Sequence, residues 1–304
     1  MSLSIAEKEA LTASRLETVH KRLEDAPRGT KLAGKVCIIT GANSLRGIGY
    51  ARASHLYLLD PFDNNSAEIK GSLEKKYPDV KVTIVKGDAS DETVVSSLCQ
   101  KVLDETGRLD VYYANGAICT WKPLAATSFE DFLSTIKINA GSLQPARAFL
   151  ALKYGSRAMT VTSPEKLDSS GSIIFTASLA GMRGNGGSVD YSASKAAINS
   201  IAMTGAAQLA GQNIRVNSIC PGIIDTNMVA GVFDAFEAEG IRNQLGWAAP
   251  IQRHALPGEI ATTALFLASD DSSYVNGQNF VVDGGLGGAL PAVDEPLRKM
   301  AQSQ

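Results

Sequence analysis

The sequence of 304 residues holds no long apolar run, few aromatic side chains and hardly any net charge. No stretch approaches the roughly 18 uninterrupted apolar residues of a membrane span, so a transmembrane protein is excluded. Aromatics make up 6% of the chain while hydrophobic residues reach 44%, which leaves ample material for a core of small and aliphatic side chains and excludes wholesale disorder. The 29 Lys and Arg nearly cancel the 31 Asp and Glu, for a formal −2. A polybasic nucleic-acid surface would need clustered excess base, so no nucleic-acid partner is expected. Four cysteines (Cys37, Cys99, Cys119, Cys220) are far apart with no CxxC pair, which argues against a metal site or a disulfide framework and for a reducing compartment. Acids at Glu7, Glu9, Glu17, Glu24 and Asp25 speak against a secretory or mitochondrial leader, and a cytoplasmic location is expected.

What the chain does contain is glycine, 28 residues against 11 prolines, and a rhythm. Leu16, Val19 and Leu23 recur at helical spacing and predict a short amphipathic helix, followed by a hinge at Pro27-Arg28-Gly29. From Lys35 onward short apolar strands alternate with longer helical stretches. Strands are expected at Val36–Thr40, Val82–Val85, Leu109–Tyr113, Ser172–Thr176, Ile214–Ile219 and Asn279–Val282. Helices are expected at about 91–106, 128–155, 189–211 and 258–268. Continuous apolar strands between helices predict an α/β fold, a Rossmann-like doubly wound parallel sheet with ligands at the carboxyl ends of the strands. Without a Pro/Gly/Ser-rich linker the reading is a single domain, 31–285, preceded by a helical extension 1–30 and followed by a tail 286–304.

Thr40-Gly41-Ala42-Asn43-Ser44-Leu45-Arg46-Gly47-Ile48-Gly49 follows the first strand and precedes a helical stretch. Glycines there permit a tight turn and close backbone approach, and the free N–H groups of a helix start can receive a pyrophosphate. Tyr191 and Lys195 stand at i and i+4, which stacks a phenol and an ammonium on one helix face. A neighbouring cation would bring the phenol, ordinarily near 10, closer to working range as an acid or base. Tyr77-Pro78-Asp79-Val80-Lys81 has the same spacing, but Pro78 and the alternating strand after it put that copy in a turn. Ser178 lies upstream of Tyr191, just beyond a strand, and Asn217 to Thr226 closes the next strand.

With that ordered set of motifs the chain resembles the short-chain dehydrogenase/reductase family, in its Tyr-x-x-x-Lys branch, from about Lys31 to Gly285. The resemblance implies Tyr191 as general acid/base, Lys195 as the residue that lowers its pKa and holds the nicotinamide ribose, and Ser178 as the donor to the substrate oxygen. It implies that Asn139 positions a water of the proton relay. It assigns the cofactor to Gly41, Asn43, Arg46, Gly47, Ile48 and Gly49, to Asp88 and Ala89 at the adenine edge, and to Asn115 and Gly116. Tyr191, Lys195, Pro221, Gly222, Ile224 and Thr226 complete that set, and Asp283-Gly284-Gly285 resembles the family's closing turn. No metal is implied. The activity implied is reversible hydride transfer between NADP(H) or NAD(H) and a secondary alcohol or ketone. A homodimer or homotetramer through the helices carrying Asn139 and Tyr191 is implied as well. Two alternatives stay open: a catalytically impaired or silent cofactor-binding protein on the same fold, and a redox-neutral isomerase or dehydratase.

Three departures from the family pattern stand out. Five residues, not three, separate Gly41 from Gly47. Long turns of this kind occur in the family's enoyl reductases, but those space Tyr and Lys further apart, so Tyr191-x-x-x-Lys195 argues against that activity. The adenine-side motif reads Ala114-Asn115-Gly116-Ala117, with Ala and Gly exchanged. Only Tyr50 to His55 separate Gly49 from the second strand, Leu56–Asp60. Six helical residues rise about 9 Å, against about 17 Å for a five-residue strand. The second βα unit is abnormally short, and non-standard structure is expected from Tyr50 to Asn65, with the strand either late or lost. Asp60 after that strand favours NAD(H), whereas Arg46 favours NADP(H), and the preference stays open.

The three histidines (His20, His55, His254) match no site and read as surface or packing residues, and the cysteines as small core residues. Trp121 and Trp247 fall in segments that flank the substrate cleft in the family. The stretch 227–251 mixes Met228, Val229, Val232, Phe233 and Phe236 with Asp234, Glu237 and Glu239. It suits a mobile lid over a largely apolar small-molecule substrate, or a surface amphipathic helix.

Overall fold

The computed structural model describes residues 4–25, 30–42, 53–120, 122–140, 147–184 and 186–288. Its centre is a seven-stranded, all-parallel sheet: β1 (Val36–Thr40), β2 (His55–Asp60), β3 (Lys81–Lys86), β4 (Val111–Ala114), β5 (Gly171–Thr176), β6 (Ile214–Pro221) and β7 (Asn279–Val282). The spatial order is β3-β2-β1-β4-β5-β6-β7, so the winding reverses between β1 and β4. Ligand crevices form at such a switch point. The helices are α1 (Ile5–Asp25), α2 (Ser66–Lys76), α3 (Glu92–Thr106), α4 (Phe129–Asn139), α5 (Arg147–Leu150), α6 (Ser156–Met159), α7 (Val189–Gln208), α8 (Ala230–Ala238) and α9 (Pro257–Ala268).

Alternation along the strands explains why they read as unbroken apolar runs. Val36, Ile38, Tyr57, Leu59, Tyr112, Ile173 and Phe175 point to one face, against Val95, Leu98 and Val102 of α3 and Ile198 and Ala202 of α7. Their neighbours Cys37, Ile39, Leu56, Leu58, Val111, Tyr113 and Ile174 point to the other, against Ile260, Ala264 and Leu267 of α9. Both faces of the sheet are therefore core. Helix ends follow local chemistry. Asp91 accepts from the backbone N–H groups of Thr93 and Val94 at the start of α3, and Gly107 closes it at φ 66°. Ser128 and Asp131 form a reciprocal capping box on α4.

Two expectations need correction. β2 is not lost: all six of its residues pair in parallel with β3, and His55 to Leu59 pair in parallel with β1. The stretch 41–54 meets the dozen or more residues that a parallel crossover requires. The Ser54 N–H fixes the strand's entry by donating to Lys35 O at 2.8 Å. Residues 43–52 lie outside the described residues. The helix expected over 128–155 divides instead: α4 ends at Asn139, and the chain resumes as α5, a π-helical turn at Ala151–Gly155, and α6. Residues 141–146 lie outside the described residues. The amphipathic extension is the 21-residue α1, which lays Leu16, Val19 and Leu23 half-buried on the body. Among the described residues no helix is long and apolar enough to cross a membrane, and no cluster of His, Cys, Asp or Glu could hold a metal.

Candidate active site

The carboxyl ends of β1, β4, β5 and β6 converge on one region. After β5 the chain stays extended at Ser178, whose Oγ accepts from the Ala180 N–H at 3.1 Å and opens a short 3-10 turn, Leu179–Gly181. That turn seats on α7 so closely that a Cβ on Gly181 would lie 2.5 Å from the backbone carbon of Lys195. Glycine is required there by contact alone. The seating places Ser178 and Tyr191 on the wall of one cleft.

Tyr191 and Lys195 share a face of α7, the Lys195 Nζ lying 5.5 Å from the Tyr191 ring centroid. Lys195 is buried, 1% exposed, and donates to Thr176 O at 2.6 Å. Burial pulls its pKa down to about 7. Burial also pushes the Tyr191 phenol up to about 12, opposed by its bond to Ser178. The lysine was expected to bring the phenol down; burial works in the other direction on the phenol and favours the neutral form of both groups. Asn139 is buried at the end of α4. Its Oδ1 accepts from the Ile118 N–H at 2.9 Å, and its Nδ2 donates to Ile118 O at 2.9 Å and to Ser194 Oγ at 3.0 Å. Its side chain thus ties the segment after β4 to α7.

On the dinucleotide side the turn after β1 meets the turn after β4. Gly41 has φ 66°, and a Cβ on it would lie 2.4 Å from the Gly116 Cα. The Ala/Gly exchange therefore has a physical account. Gly116 leaves room for this approach and for Arg147, whose Nη1 would stand 3.2 Å from a Cβ at position 116. Asn115 pins the junction: its N–H donates to Thr40 Oγ1 at 3.2 Å, and its Oδ1 accepts from Thr176 Oγ1 at 2.9 Å. Asp88 follows β3 and accepts from the Ser90 N–H and from Arg147 Nη2, at 2.9 and 3.1 Å. Burial works against its ionisation, but Ser90 and Arg147 outweigh it and hold the pKa low. Ala89 is core. Asp60 ends β2, its Oδ1 accepting from the Phe62 N–H at 3.0 Å. Pro221 ends β6, Gly222 packs directly on Asp283, and Ile224 bridges to Ala255 ahead of Thr226. Asn43, Arg46, Gly47, Ile48, Gly49 and Trp121 lie outside the described residues.

These residues fit a dinucleotide. At the Gly41–Gly116 approach the backbones after the first and fourth strands meet without a Cβ between them, as close passage of a dinucleotide backbone requires. Beyond Tyr191 opens a cleft of about 630 Å³. Its walls include Leu179, Ile223, Met228, Val232, Phe233 and Leu245, with Ser178 and Tyr191 supplying the hydroxyls. The stretch 227–251 is amphipathic: α8 turns Val232 and Phe233 inward and exposes Asp234 and Glu237. Arg242 holds it down, with Nη2 3.0 Å from Asp225 Oδ2 and its guanidinium 4.9 Å from the Phe233 ring centroid. Trp247 turns to α1 and donates to Thr12 Oγ1 at 3.1 Å.

Three residues near the site escaped the sequence reading: Arg147, Asp190 and Cys119. Arg147 and Asp190 are ordinary helix residues by pattern. Cys119 is half-buried, and its thiol, if charged, acts on both Tyr191 and Lys195. The histidines pack or face solvent: His20 lies 3.2 Å from Glu24, His55 stacks on Tyr57, and His254 meets Phe233 edge-on.

A doubly wound sheet with a serine, a tyrosine and a lysine at the carboxyl end of its central strands defines a nucleotide-dependent dehydrogenase/reductase. A family model described as enoyl-(acyl carrier protein) reductase matches residues 41–287. The 3-oxoacyl-[acyl-carrier-protein] reductase FabG of Thermotoga maritima is 34% identical over 266 residues, covering 84% of this chain and 99% of the relative. The meso-2,3-butanediol dehydrogenase of Serratia marcescens is 29% identical over 256 residues, covering 83% and 94%. The crystal structure of levodione reductase superposes with a TM-score of 0.74 at 28% identity, covering 84% of this chain and 99% of that one. The chain belongs to the short-chain dehydrogenase/reductase family, and it is an NAD(P)-dependent oxidoreductase.

Proposed function

We propose that the protein reversibly exchanges hydride between NAD(P) and a neutral, largely apolar secondary alcohol or ketone, with Tyr191 as general acid/base. One observation carries this reading: Ser178 and Tyr191 line one apolar cleft, with a buried lysine one helical turn beyond Tyr191. The nicotinamide, when bound, supplies or accepts the hydride. Ser178 donates to the substrate oxygen and orients it. In reduction Tyr191 gives its proton to the oxygen that gains charge, and in oxidation it takes that proton back. Lys195, poised near neutrality, passes protons from the Tyr191 side toward the cofactor ribose. Apolar side chains from α8 exclude water and favour substrates without charge. The close Gly41–Gly116 contact, Asp88, Asn115 and the segment Pro221–Thr226 hold the dinucleotide. Asp60 at the end of β2 accepts ribose hydroxyls and repels a 2′-phosphate, so NAD(H) is the expected preference. Apolar Val189 and Met203, exposed on α7, and Phe129, exposed on α4, suit association through those helices as a homo-oligomer, which light scattering tests.

The experiment is direct. Cyclohexanol with NAD or NADP, and cyclohexanone with the reduced forms, should change the nicotinamide absorbance, and Tyr191→Phe should abolish the change while leaving fluorescence quenching by the nucleotide intact. Absence of quenching by either nucleotide at millimolar concentration would overturn the reading.

A further inference from the structure

Asp190, immediately before Tyr191, has no exposed surface, and hydroxyls meet its Oδ2 while its Oδ1 is buried without a hydrogen-bond partner. Its Oδ2 accepts from Thr135 Oγ1 of α4 at 2.6 Å and from Thr120 Oγ1, in the segment after β4, at 2.8 Å. Burial favours the neutral acid, but the hydroxyls of Thr135, Ser188 and Thr120 and the N–H of Tyr191 outweigh it and hold the pKa below the usual carboxylate range. A carboxylate can accept several donors at once, which an apolar residue of similar size cannot. Apolar replacements of buried charges are often neutral or stabilising, so stability alone is a weak reason for an acid here.

The contacts form a ladder with two rungs. Thr135 and Asn139 are one turn apart on α4, and Asp190 and Ser194 one turn apart on α7. The lower rung joins Asp190, Thr135 and Thr120. The upper rung joins Ser194, Asn139 and both backbone groups of Ile118, and the Ser194 hydroxyl also donates to Tyr191 O at 2.7 Å. Tyr191 and Lys195 each follow a rung residue directly, about 100° further round the helix. The rotation of α7 that the ladder fixes is therefore the rotation that aims both side chains.

We infer that Asp190 is a positioning residue, which clamps the segment Ile118–Thr120 between α4 and α7 and thereby sets the direction of Tyr191. Without the lower rung, α7 keeps its helix but its catalytic face and the segment carrying Cys119 gain freedom. The catalytic half of this inference rests on the proposed role of Tyr191; the clamp itself does not.

The test compares Thr135→Val, which removes the hydroxyl at constant shape, with Thr135→Ser, which keeps it, and with Asp190→Asn. Iodoacetamide labelling read peptide by peptide needs no substrate. Cys119 lies within the clamped segment, while Cys37, Cys99 and Cys220 are buried elsewhere. Thr135→Val and Asp190→Asn should label Cys119 several-fold faster than the wild type and Thr135→Ser should not, with the other three cysteines protected throughout. In cyclohexanol oxidation the first two variants should lose about tenfold in kcat, a misplacement effect, with nucleotide affinity by fluorescence quenching unchanged. Wild-type labelling of Cys119 in Thr135→Val overturns the clamp, as does uniform labelling of all four cysteines. Faster labelling with full kcat overturns the positioning of Tyr191. A wild type that turns over no alcohol defeats the proposed function instead, and labelling then decides the clamp by itself. Should Asp190→Asn fail to fold, the two Thr135 variants carry the comparison.

Discussion

The ammonium of Lys195 lies 2.6 Å from the carbonyl oxygen of Thr176, inside a site where it is 1% exposed. Burial drops its pKa from 10.5 to about 7. Between those values the unfolded chain binds a proton that the folded one releases, so stability rises with pH through that window. Other groups oppose the trend near pH 9, where thiols buried at Cys37 and Cys99 begin to favour the unfolded chain. The wild type should therefore gain stability from about pH 7 to 9, with a slope of up to about 1.4 kcal/mol per pH unit from this group. Lys195→Met should remove the part of that slope below about pH 8, leaving what buried Lys166, lowered to about 8, contributes above it, and should melt at or above the wild-type temperature while losing turnover. Calorimetry at several pH values decides it, and parallel curves for the two proteins would refute the assignment.

Gly41 and Gly71 make opposite forecasts for one substitution. A methyl group at Gly41 would lie 2.4 Å from the Gly116 Cα, on a residue with φ 66°. Neither backbone can yield without opening the β1–β4 junction. Gly41→Ala should destabilise by about 2–4 kcal/mol and abolish quenching by NADH and NADPH. Gly71 lies inside α2 with open space around its added Cβ. Gly71→Ala should stabilise by about 0.5–1 kcal/mol with no effect on the nucleotide. Equal melting temperatures for the two variants would contradict this reading of the cradle.

Much of this was legible in the sequence, for reasons that differ along the chain. The strands were readable because a parallel sheet buried on both faces demands unbroken apolar runs, as in Val36–Thr40. Ser178, Tyr191 and Lys195 were readable because their order and spacing are local. The strand Leu56–Asp60 was readable but its retention was not: helix-rise arithmetic counts length, whereas Leu56 to Leu59 are held by partners on both sides. The helix α2 was missed because its apolar positions, Ile69 and Leu73, are few among polar ones. Arg147 on Asp88 and Asp190 on Thr135 pair residues 59 and 55 positions apart. No periodicity announces such contacts; only the folded topology makes them.

Proton direction gives a further test. The Tyr191 phenol is pushed up to about 12 by burial, so at neutral pH it holds its proton and is ready to donate. Reduction of cyclohexanone needs that protonated form and should stay level from about pH 6 to 9. Oxidation of cyclohexanol needs the phenol to release its proton and should climb with pH from about 6 to 9. Tyr191→Phe should lower both by about 10²–10⁴-fold. An oxidation rate that stays level across this range would exclude Tyr191 as the titrating base.

Arg242 is where cleft closure can be tested apart from chemistry. It joins three groups: Asp225 at 3.0 Å, Glu237 at 3.6 Å, and the ring of Phe233 at 4.9 Å. Asp225 belongs to the segment after β6, whereas Phe233 and Glu237 belong to α8, so the guanidinium couples the cleft cover to the sheet. Phe233 itself is 1% exposed and lines the cleft. Removing the charge frees the cover but leaves Ser178, Tyr191 and Lys195 untouched. Binding contributed equally to ground and transition states appears in KM rather than in kcat. Arg242→Gln should therefore raise KM for cyclohexanol by about 5–10-fold, the loss expected for a partly exposed ion pair and a ring contact, with kcat within about twofold. Chymotrypsin, for which Phe233, Phe236 and Trp247 are sites, should cut within 227–251 sooner than in the wild type. A fall in kcat at unchanged KM would mean instead that α8 acts on the reacting groups, and the segment would have to be assigned to catalysis rather than to substrate retention.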